Sequence, residues 1–333
     1  NLPSALHRLV QAQAQRLQDA HVSLGHGTSN AFDEAAWLTL WRLDLPLDTD
    51  LDDPALPAPT EPQRDAVEAL IAERIRTRKP AAYLTREAWL QGVSFYVDER
   101  AIVPRSLIAE PLADGSIDAF LHPATHRVLD LCTGNGSLAV LAALAWPDVV
   151  VDAADISPDA LAVARINVAR HDLSDRIRLL HSDGLAQCEG PYDLVLCNPP
   201  YVNSASMQAL PAEYRAEPEL ALAGGEDGMD FIRPLLARLP ELGITSFAPP
   251  DGAFYMMVTL TVDDVEKLQY FLLEEFEDNG DTVMYAPGSG FYADPADGRS
   301  EIRIAYVHNY DYLRRAIQLL GKGIAAYNAK RGA

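Results

Sequence analysis

The feature that most limits what this chain can fold into is a repeated strand, turn and helix that begins near Arg127. An apolar run at 128–131 is followed by a glycine turn and a helical stretch, and a second apolar run at 149–156 is followed by another helical stretch. Two further strands are predicted to end just before Asp183 and Asn198. Strands that alternate with helices predict βαβ units, in which helices cover both faces of a parallel sheet. We therefore expect an α/β fold in this part of the chain.

The residues before this region predict a small helical bundle. Apolar residues recur at helical spacing near the N-terminus and again at 67–75, and Asn30 is a suitable N-cap for a helix between them. The basic run at 74–79 predicts a solvated face at the end of the last helix. An alternating segment at 89–103 predicts a hairpin with its turn at Asp98 and Glu99. The predicted domains are 1–88, 89–243 with the hairpin leading, and 244–333.

Composition excludes several classes of protein. The length of 333 residues and the hydrophobic fraction of 48% suit about two globular domains. No apolar run approaches the roughly 18 residues of a membrane-spanning helix, so an integral membrane protein is not expected. A net charge of -21 repels phosphate backbones, so no direct nucleic-acid partner is expected. Three cysteines without metal-ligand spacing predict reduced thiols, no metal site and a cytoplasmic location.

The turn after the first predicted strand has the sequence D-L-C-T-G-N-G from Asp130 to Gly136. Its small residues let the backbone approach a ligand, and the next helix offers its N-terminal N–H groups. Asp155 ends the next strand, where a carboxylate can accept both ribose hydroxyls, and Asp183 follows the third strand. The turn lacks the third glycine of a dinucleotide fingerprint and the lysine of a P-loop. S-adenosylmethionine is therefore the predicted cofactor.

The motif N-P-P-Y, from Asn198 to Tyr201, directly follows the fourth predicted strand. Its two prolines remove two N–H donors and stiffen the backbone, which fixes carbonyls toward the pocket. The Asn198 side-chain oxygen and the Pro199 carbonyl can both accept from one planar NH₂ group, and Tyr201 can pack on its plane. Such an arrangement aims a poorly nucleophilic nitrogen at a methyl group without a general base.

With these motifs the chain resembles the HemK/PrmB group of class I methyltransferases, which methylate glutamine side-chain amides in proteins. The D-I-S-P-D-A-L segment from Asp155 and the P-A-E-Y-R-A-E-P-E-L run from Pro211 also carry the resemblance, which covers about residues 20–240. The segments G-H-G-T, A-Y-L-T, F-Y-V-D-E-R and V-P-R-S, all before residue 107, are most similar to the branch that modifies ribosomal protein L-three.

The resemblance implies a Rossmann-like methyltransferase domain, an N-terminal substrate-recognition domain and ribosomal protein L-three as partner. It implies these catalytic residues: Asn198, Pro199, Pro200 and Tyr201. It implies these cofactor-binding residues: Asp130, Cys132, Thr133, Gly134, Gly136, Asp155, Ile156, Asp183 and Asn198. It implies these substrate-binding residues: Arg105, Glu217 and Pro218.

The last quarter of the chain departs from that family. From about residue 243 it resembles the C-terminal part of a pyridoxal-phosphate aspartate aminotransferase, in which the arginine matching Arg303 would hold a carboxylate. No segment supplies a Schiff-base lysine or a large cofactor domain, so a strand-end or surface arginine is favoured. Strands at 252–261 and 301–307 and a helix at 263–275 are predicted, and they could replace the missing edge of the sheet.

Two alternatives to a protein methyltransferase remain open. N-P-P-Y also occurs in enzymes that methylate adenine or guanine amino groups, and a basic patch would favour such a nucleic-acid methyltransferase. The second alternative is a catalytically inactive protein-binding module, because the altered C-terminal segment can leave the sheet incomplete. Failure to bind S-adenosylmethionine would favour the second.

Overall fold

A computed structural model describes residues 3–121, 124–238, 255–291, 298–305 and 310–331. The chain forms two compact units, Asn1–Phe247 and Ala248–Ala333. Among the described residues no helix is both long and apolar enough to cross a membrane. The same residues contain no group of three or more His, Cys, Asp or Glu side chains arranged to hold a metal ion.

The first unit begins with the predicted helical bundle. Its helices are α1 (Ala5–Asp19), α2 (Ala31–Arg42), α3 (Glu61–Thr77) and the short α4 (Ala81–Thr85). The predicted cap is confirmed, since the Asn30 side chain accepts a hydrogen bond from the Asp33 N–H at 2.8 Å. Val10, Leu17, Leu38 and Ile71 lie in its fully buried core, so packing of apolar faces holds the helices together.

The predicted hairpin exists, but its turn lies elsewhere. Strands β1 (Ala88–Leu90) and β2 (Val93–Phe95) pair in antiparallel register, with Leu90 opposite Val93. A turn does form at Asp98, whose carbonyl accepts from the Ala101 N–H at 3.1 Å, but it does not connect paired strands, so the predicted position of the hairpin is wrong. The two turn residues, Gln91 and Gly92, both have positive φ, as a tight two-residue hairpin turn requires.

The central sheet of the first unit is entirely parallel, as predicted. Its strands and the helices around them are α5 (Ala109–Asp114), β3 (Arg127–Leu131), α6 (Ser137–Ala145), β4 (Val150–Asp155), α7 (Pro158–Arg170), β5 (Ile177–His181) and β6 (Leu194–Cys197). The strand order is β5-β4-β3-β6, with every pair parallel. The chain runs outward from β3 to β5 and then returns to the other side of β3. This reversal opens a crevice at the carboxyl ends of the strands.

After β6 the chain forms α8 (Ser204–Ala209), α9 (Ala212–Arg215), a 3₁₀ turn (Glu219–Ala221) and α10 (Ile232–Arg238). Residues 211–218 contain α9 and are here named the substrate-side loop, because the family resemblance implies that this run lies on the substrate side. Val202 donates to the Leu222 carbonyl at 2.9 Å, and the Gly224 N–H donates to the Val202 carbonyl at 2.8 Å. These bonds attach the backbone after N-P-P-Y to the segment that follows the loop.

The second unit has a sheet and a core of its own. Its elements are β7 (Tyr255–Thr259), α11 (Val265–Glu274), β8 (Ala286–Pro287), β9 (Glu301–Ala305) and α12 (Tyr310–Arg331). The strands form an antiparallel sheet in the order β7-β9-β8. Val265, Leu268 and Leu272 of α11 pack against Ile302 of β9.

The strands and helix predicted for the C-terminal segment are thus confirmed in the described residues. Their suggested use as an edge of the parallel sheet is wrong, because they pair with one another. The stretches 251–254 and 292–297, which carry part of the aminotransferase resemblance, lie outside the described residues, as does the Arg303 side chain.

Candidate functional site

The predicted cofactor residues come together because four parallel strands end at one edge of the sheet. Leu131 of β3 pairs with Ala154 of β4 on one side and with Cys197 of β6 on the other. Asp155 pairs with His181 at the end of β5. The glycine turn, the ribose-binding candidate and the N-P-P-Y motif therefore begin at neighbouring strand ends.

The two glycines of the turn have different roles. Gly134 (φ +57°) and Gly136 (φ +81°) both lie in the left-handed region. A Cβ at Gly134 would meet no atom within 4 Å, so this glycine faces open space. A Cβ at Gly136 would lie 3.1 Å from the Ala164 Cβ, so this glycine allows α6 and α7 to approach each other. The backbone at Gly134 is thus open to approach, whereas Gly136 serves packing.

Asp155 lies beside the open glycine. Its carboxylate accepts hydrogen bonds from the Gly134 N–H at 2.8 Å and the Ser157 N–H at 2.9 Å. Burial raises the pKa of this carboxyl group despite these bonds. Each oxygen keeps a second lone pair, which suits a pair of ribose hydroxyls. The neighbouring Ile156 is 44% exposed and offers an apolar surface, while Asp183 lies exposed after β5.

Asp130 is completely buried beneath the turn. Its Oδ2 accepts hydrogen bonds from the Thr133 hydroxyl and from the Ala139 N–H at 3.0 Å. Within the described part of the chain its Oδ1, also buried, has no hydrogen-bond partner. Burial raises the pKa of Asp130 to about 7. An unpaired buried acceptor beside an open glycine fits a ligand that brings a hydrogen-bond donor or positive charge, as S-adenosylmethionine does.

The raised pKa of Asp130 predicts that the free energy of unfolding of the first unit decreases as the pH rises. Above pH 3.8 the unfolded state loses this proton first, so the native state holds more protons until the pH reaches about 7. At about 1.4 kcal/mol per pH unit, this group should lower the free energy of unfolding by about 2 kcal/mol between about pH 5.5 and 7. Urea denaturation of the protein and of Asp130→Asn across this range measures the effect. The variant should lack this decrease, and parallel profiles would contradict the assignment.

Cys132 contributes to the site through its backbone. Its φ of +62° is unusual for a residue with a side chain and turns the chain sharply after β3. A hydrogen bond with Cys197, together with burial, raises the pKa of the Cys132 thiol. The thiol therefore stays protonated, and this cysteine is not a reactive nucleophile.

The N-P-P-Y motif is held rigidly where it leaves β6. Asn198 is half-buried, and no described residue forms a hydrogen bond with its side chain. A Cβ at Gly224 would lie 2.8 Å from the Tyr201 Cα, and one at Gly228 would collide with the Tyr201 carbonyl oxygen. Both glycines are therefore required for the close packing of the backbone behind the motif. The motif presents an available Asn198 amide on a fixed support.

The predicted substrate residues Arg105 and Glu217 contact each other. The Arg105 guanidinium donates to both Glu217 oxygens, at 2.6 and 2.7 Å, in a bidentate ion pair. Pro218 follows directly and is half-buried. Tyr214, four residues before Pro218, lies between Arg105 (5.4 Å from guanidinium carbon to ring centre) and the His26 ring (4.3 Å between centres). Sequence analysis named neither His26 nor Tyr214 as a site residue, although both lie in segments that carry the family resemblance.

Arg74 corrects the expectation of a solvated basic face. Its side chain is only 1% exposed and donates to Glu34 at 2.8 Å, to Glu213 at 3.2 Å and to the Ser23 carbonyl at 3.0 Å. The buried residues of α3, at 67, 70, 71 and 74, follow helical spacing. That spacing is visible in the sequence and is the signal from which the inward position of Arg74 could have been predicted.

Comparison with known proteins agrees with this geometry. Residues 116–213 match the family described as Methyltransferase small domain. Three proteins named ribosomal protein uL3 glutamine methyltransferase are similar to the chain. The one from Burkholderia pseudomallei is 52% identical over 240 residues (69% of this chain, 78% of the relative), and the one from Bordetella pertussis is 53% identical over 238 residues (71% and 79%). The one from Neisseria meningitidis serogroup B is 43% identical over 270 residues (79% and 85%). These matches do not support the aminotransferase resemblance of the C-terminal segment.

Proposed function

Because the chain belongs to the family of ribosomal protein uL3 glutamine methyltransferases, we propose that it transfers a methyl group from S-adenosylmethionine to a glutamine side-chain amide of that ribosomal protein. The observation that carries this proposal is the position of Asn198. Its half-buried side chain follows β6 directly, and β6 pairs with the strand that carries the glycine turn. A methyl acceptor held at Asn198 would therefore lie next to a cofactor held at the turn.

The chemistry assigned to the site requires orientation rather than a base. When bound, S-adenosylmethionine supplies an electrophilic methyl group. The Asn198 Oδ1 and the Pro199 carbonyl accept the two N–H groups of the substrate amide, and Tyr201 packs on the amide plane. Pro200 contributes rigidity, since neither proline can donate a hydrogen bond or rotate freely about φ. Both bonds aim the amide nitrogen at the methyl group, and the product loses its proton after the transfer.

We assign the cofactor to the crevice at the strand ends. Asp155 accepts the ribose hydroxyls, and the exposed Ile156 and Asp183 flank the adenine. The turn residues Cys132, Thr133, Gly134 and Gly136 bring the backbone to the methionine part, with Asp130 beneath them. Asn198 contacts the cofactor as well as the substrate amide. The open space above Gly134 and the unpaired Asp130 Oδ1 support this assignment.

We place the substrate on the other side of the crevice, along the substrate-side loop with Pro218. Residues 1–88 would recognise the substrate protein, and 89–243 would carry the transfer. The free cysteines and the modification of a ribosomal protein in this family favour a cytoplasmic location. The chain has 48 acidic and 27 basic residues, and this excess of negative charge favours a protein over a nucleic acid as the substrate.

Mass spectrometry of purified uL3 tests the proposal, after incubation with the protein and S-adenosylmethionine. We expect one added methyl group on a single glutamine, and none when the cofactor is omitted. Total ribosomal RNA incubated in parallel should gain no methyl group. Methylated RNA would favour a nucleic-acid methyltransferase. Unmodified uL3 with retained cofactor binding would refute the substrate, and loss of cofactor binding would identify an inactive module.

A further inference from the structure

The substrate-side loop carries two buried carboxylates four residues apart, Glu213 and Glu217. The Glu213 Oε1 lies 2.6 Å from the Arg78 Nε and accepts from the Ser23 N–H at 3.1 Å. It also accepts from Arg74 of α3 at 3.2 Å. These contacts attach the beginning of the loop to the helical bundle. The side chain of Glu213 is completely buried, so the attachment does not depend on a ligand.

Glu217 attaches the other end of the loop to the segment at 103–105. Its Oε1 accepts from the Val103 N–H at 2.9 Å and from Arg105, while its Oε2 accepts from Arg105 and lies 3.4 Å from the His26 Nε2. Burial alone would raise the pKa of Glu217, but the contacts with His26 and Arg105 outweigh it and lower this pKa to about 2. The carboxylate is thus ionised, fully buried and surrounded by donors. It has no free side for a substrate.

Arg105 is held through both of its terminal nitrogens, although 27% of its side chain is exposed. Besides the bidentate pair, its Nη1 donates to the Val103 carbonyl at 3.0 Å, and its guanidinium carbon lies 5.4 Å from the centre of the Tyr214 ring. Tyr201 of the N-P-P-Y motif lies within electrostatic range of the guanidinium. The segment that follows the loop forms backbone hydrogen bonds with Val202, the residue after Tyr201, so the pair anchors a loop that is connected to the N-P-P-Y motif.

We propose that Arg105 and Glu217 are positioning residues, which lock the substrate-side loop against 103–105 and do not contact the substrate. This inference rests on the proposed function and revises the role expected for both residues. The ion pair keeps the acceptor site in the geometry that aims the substrate amide, so its loss should slow the methyl transfer rather than weaken substrate binding.

A double-mutant cycle of Arg105→Met, Glu217→Gln and the double variant tests the proposal with uL3 as substrate. If the two residues act as one unit, each single variant should lower kcat by about 10- to 100-fold with little change in KM. The double variant should then be no slower than the slower single variant. Arg105→Lys should be intermediate, because it keeps the charge but loses the bidentate geometry. Raised KM values and losses that multiply in the double variant would overturn the proposal.

Amide hydrogen exchange without substrate provides a readout independent of activity. Arg105→Met and Glu217→Gln should each speed exchange in both 103–105 and 211–218, whereas Arg233→Met, at an exposed ion pair with Asp227, should change neither. Unchanged exchange in the two loop variants would also overturn the proposal. Failure of the unmodified protein to methylate uL3 would instead refute the proposed function, and exchange would still decide the positioning role.

Discussion

Replacing Asn198 by alanine is expected to lower kcat for uL3 methylation by at least about 100-fold, while the Kd for S-adenosylmethionine changes little. The Asn198 side chain supplies one of the two acceptors assigned to the substrate amide. Without it, the amide nitrogen is no longer held in line with the methyl group. The backbone around residue 198 should stay in place, because Gly224 and Gly228 support Tyr201 from behind.

The measurement is a comparison of initial rates with calorimetric cofactor binding for the protein, Asn198→Ala and Asn203→Ala. Asn203 is a matched control, since its side chain caps α8 by accepting from the Ser206 N–H at 2.8 Å. Its loss should cost about 1 kcal/mol of helix stability and leave kcat nearly unchanged. If Asn198→Ala kept most of the activity, the role assigned to the motif would be wrong.

Arg74→Met should lower the free energy of unfolding of the first unit by about 3–5 kcal/mol. Methionine fills much of the same volume but leaves two buried carboxylates without their shared cation. Glu34 is then held only by the Thr28 hydroxyl, at 3.2 Å, among the described residues. Glu213 keeps Arg78 and the Ser23 N–H, so we expect destabilisation rather than complete unfolding.

The tryptophans allow this unit to be observed alone. All four, at positions 37, 41, 89 and 146, lie in Asn1–Phe247, so their fluorescence in urea reports on the first unit. Arg76→Met, on the exposed side of the same helix, should change the free energy of unfolding by no more than about 0.5 kcal/mol. A loss below about 1 kcal/mol for Arg74→Met would show that the buried network contributes little.

The parts of the fold that could be predicted are those specified by neighbouring residues. The glycine turn, Asp155 and Asn198 each follow an apolar strand directly, and parallel strands bring their ends to one edge. The helix after Asn30 was predictable from its cap. In each case the signal lies within a few residues of the feature it predicts.

The parts that could not be predicted depend on contacts between distant residues. Arg105 and Glu217 are 112 positions apart, and Arg74 and Glu213 are 139 apart, so no local pattern reveals that either pair forms. A burial pattern was available for Arg74, but its neighbours in a basic run favoured a solvated face. The hairpin turn was predicted too far along the chain, because the alternation of apolar and polar residues continues to Val103. In the structure the turn is formed by Gln91 and Gly92.

The attachment of the substrate-side loop at two buried carboxylates has a consequence for protein engineering. Between and beside these fixed points, Ala212, Arg215 and Glu219 are exposed, and Arg215 also donates to the Leu210 carbonyl at 2.9 Å. Their side chains can be exchanged without disturbing the ion pairs that hold the backbone. A library varied at these three positions, with Glu213 and Glu217 kept, offers a route to altered substrate preference on an unchanged scaffold.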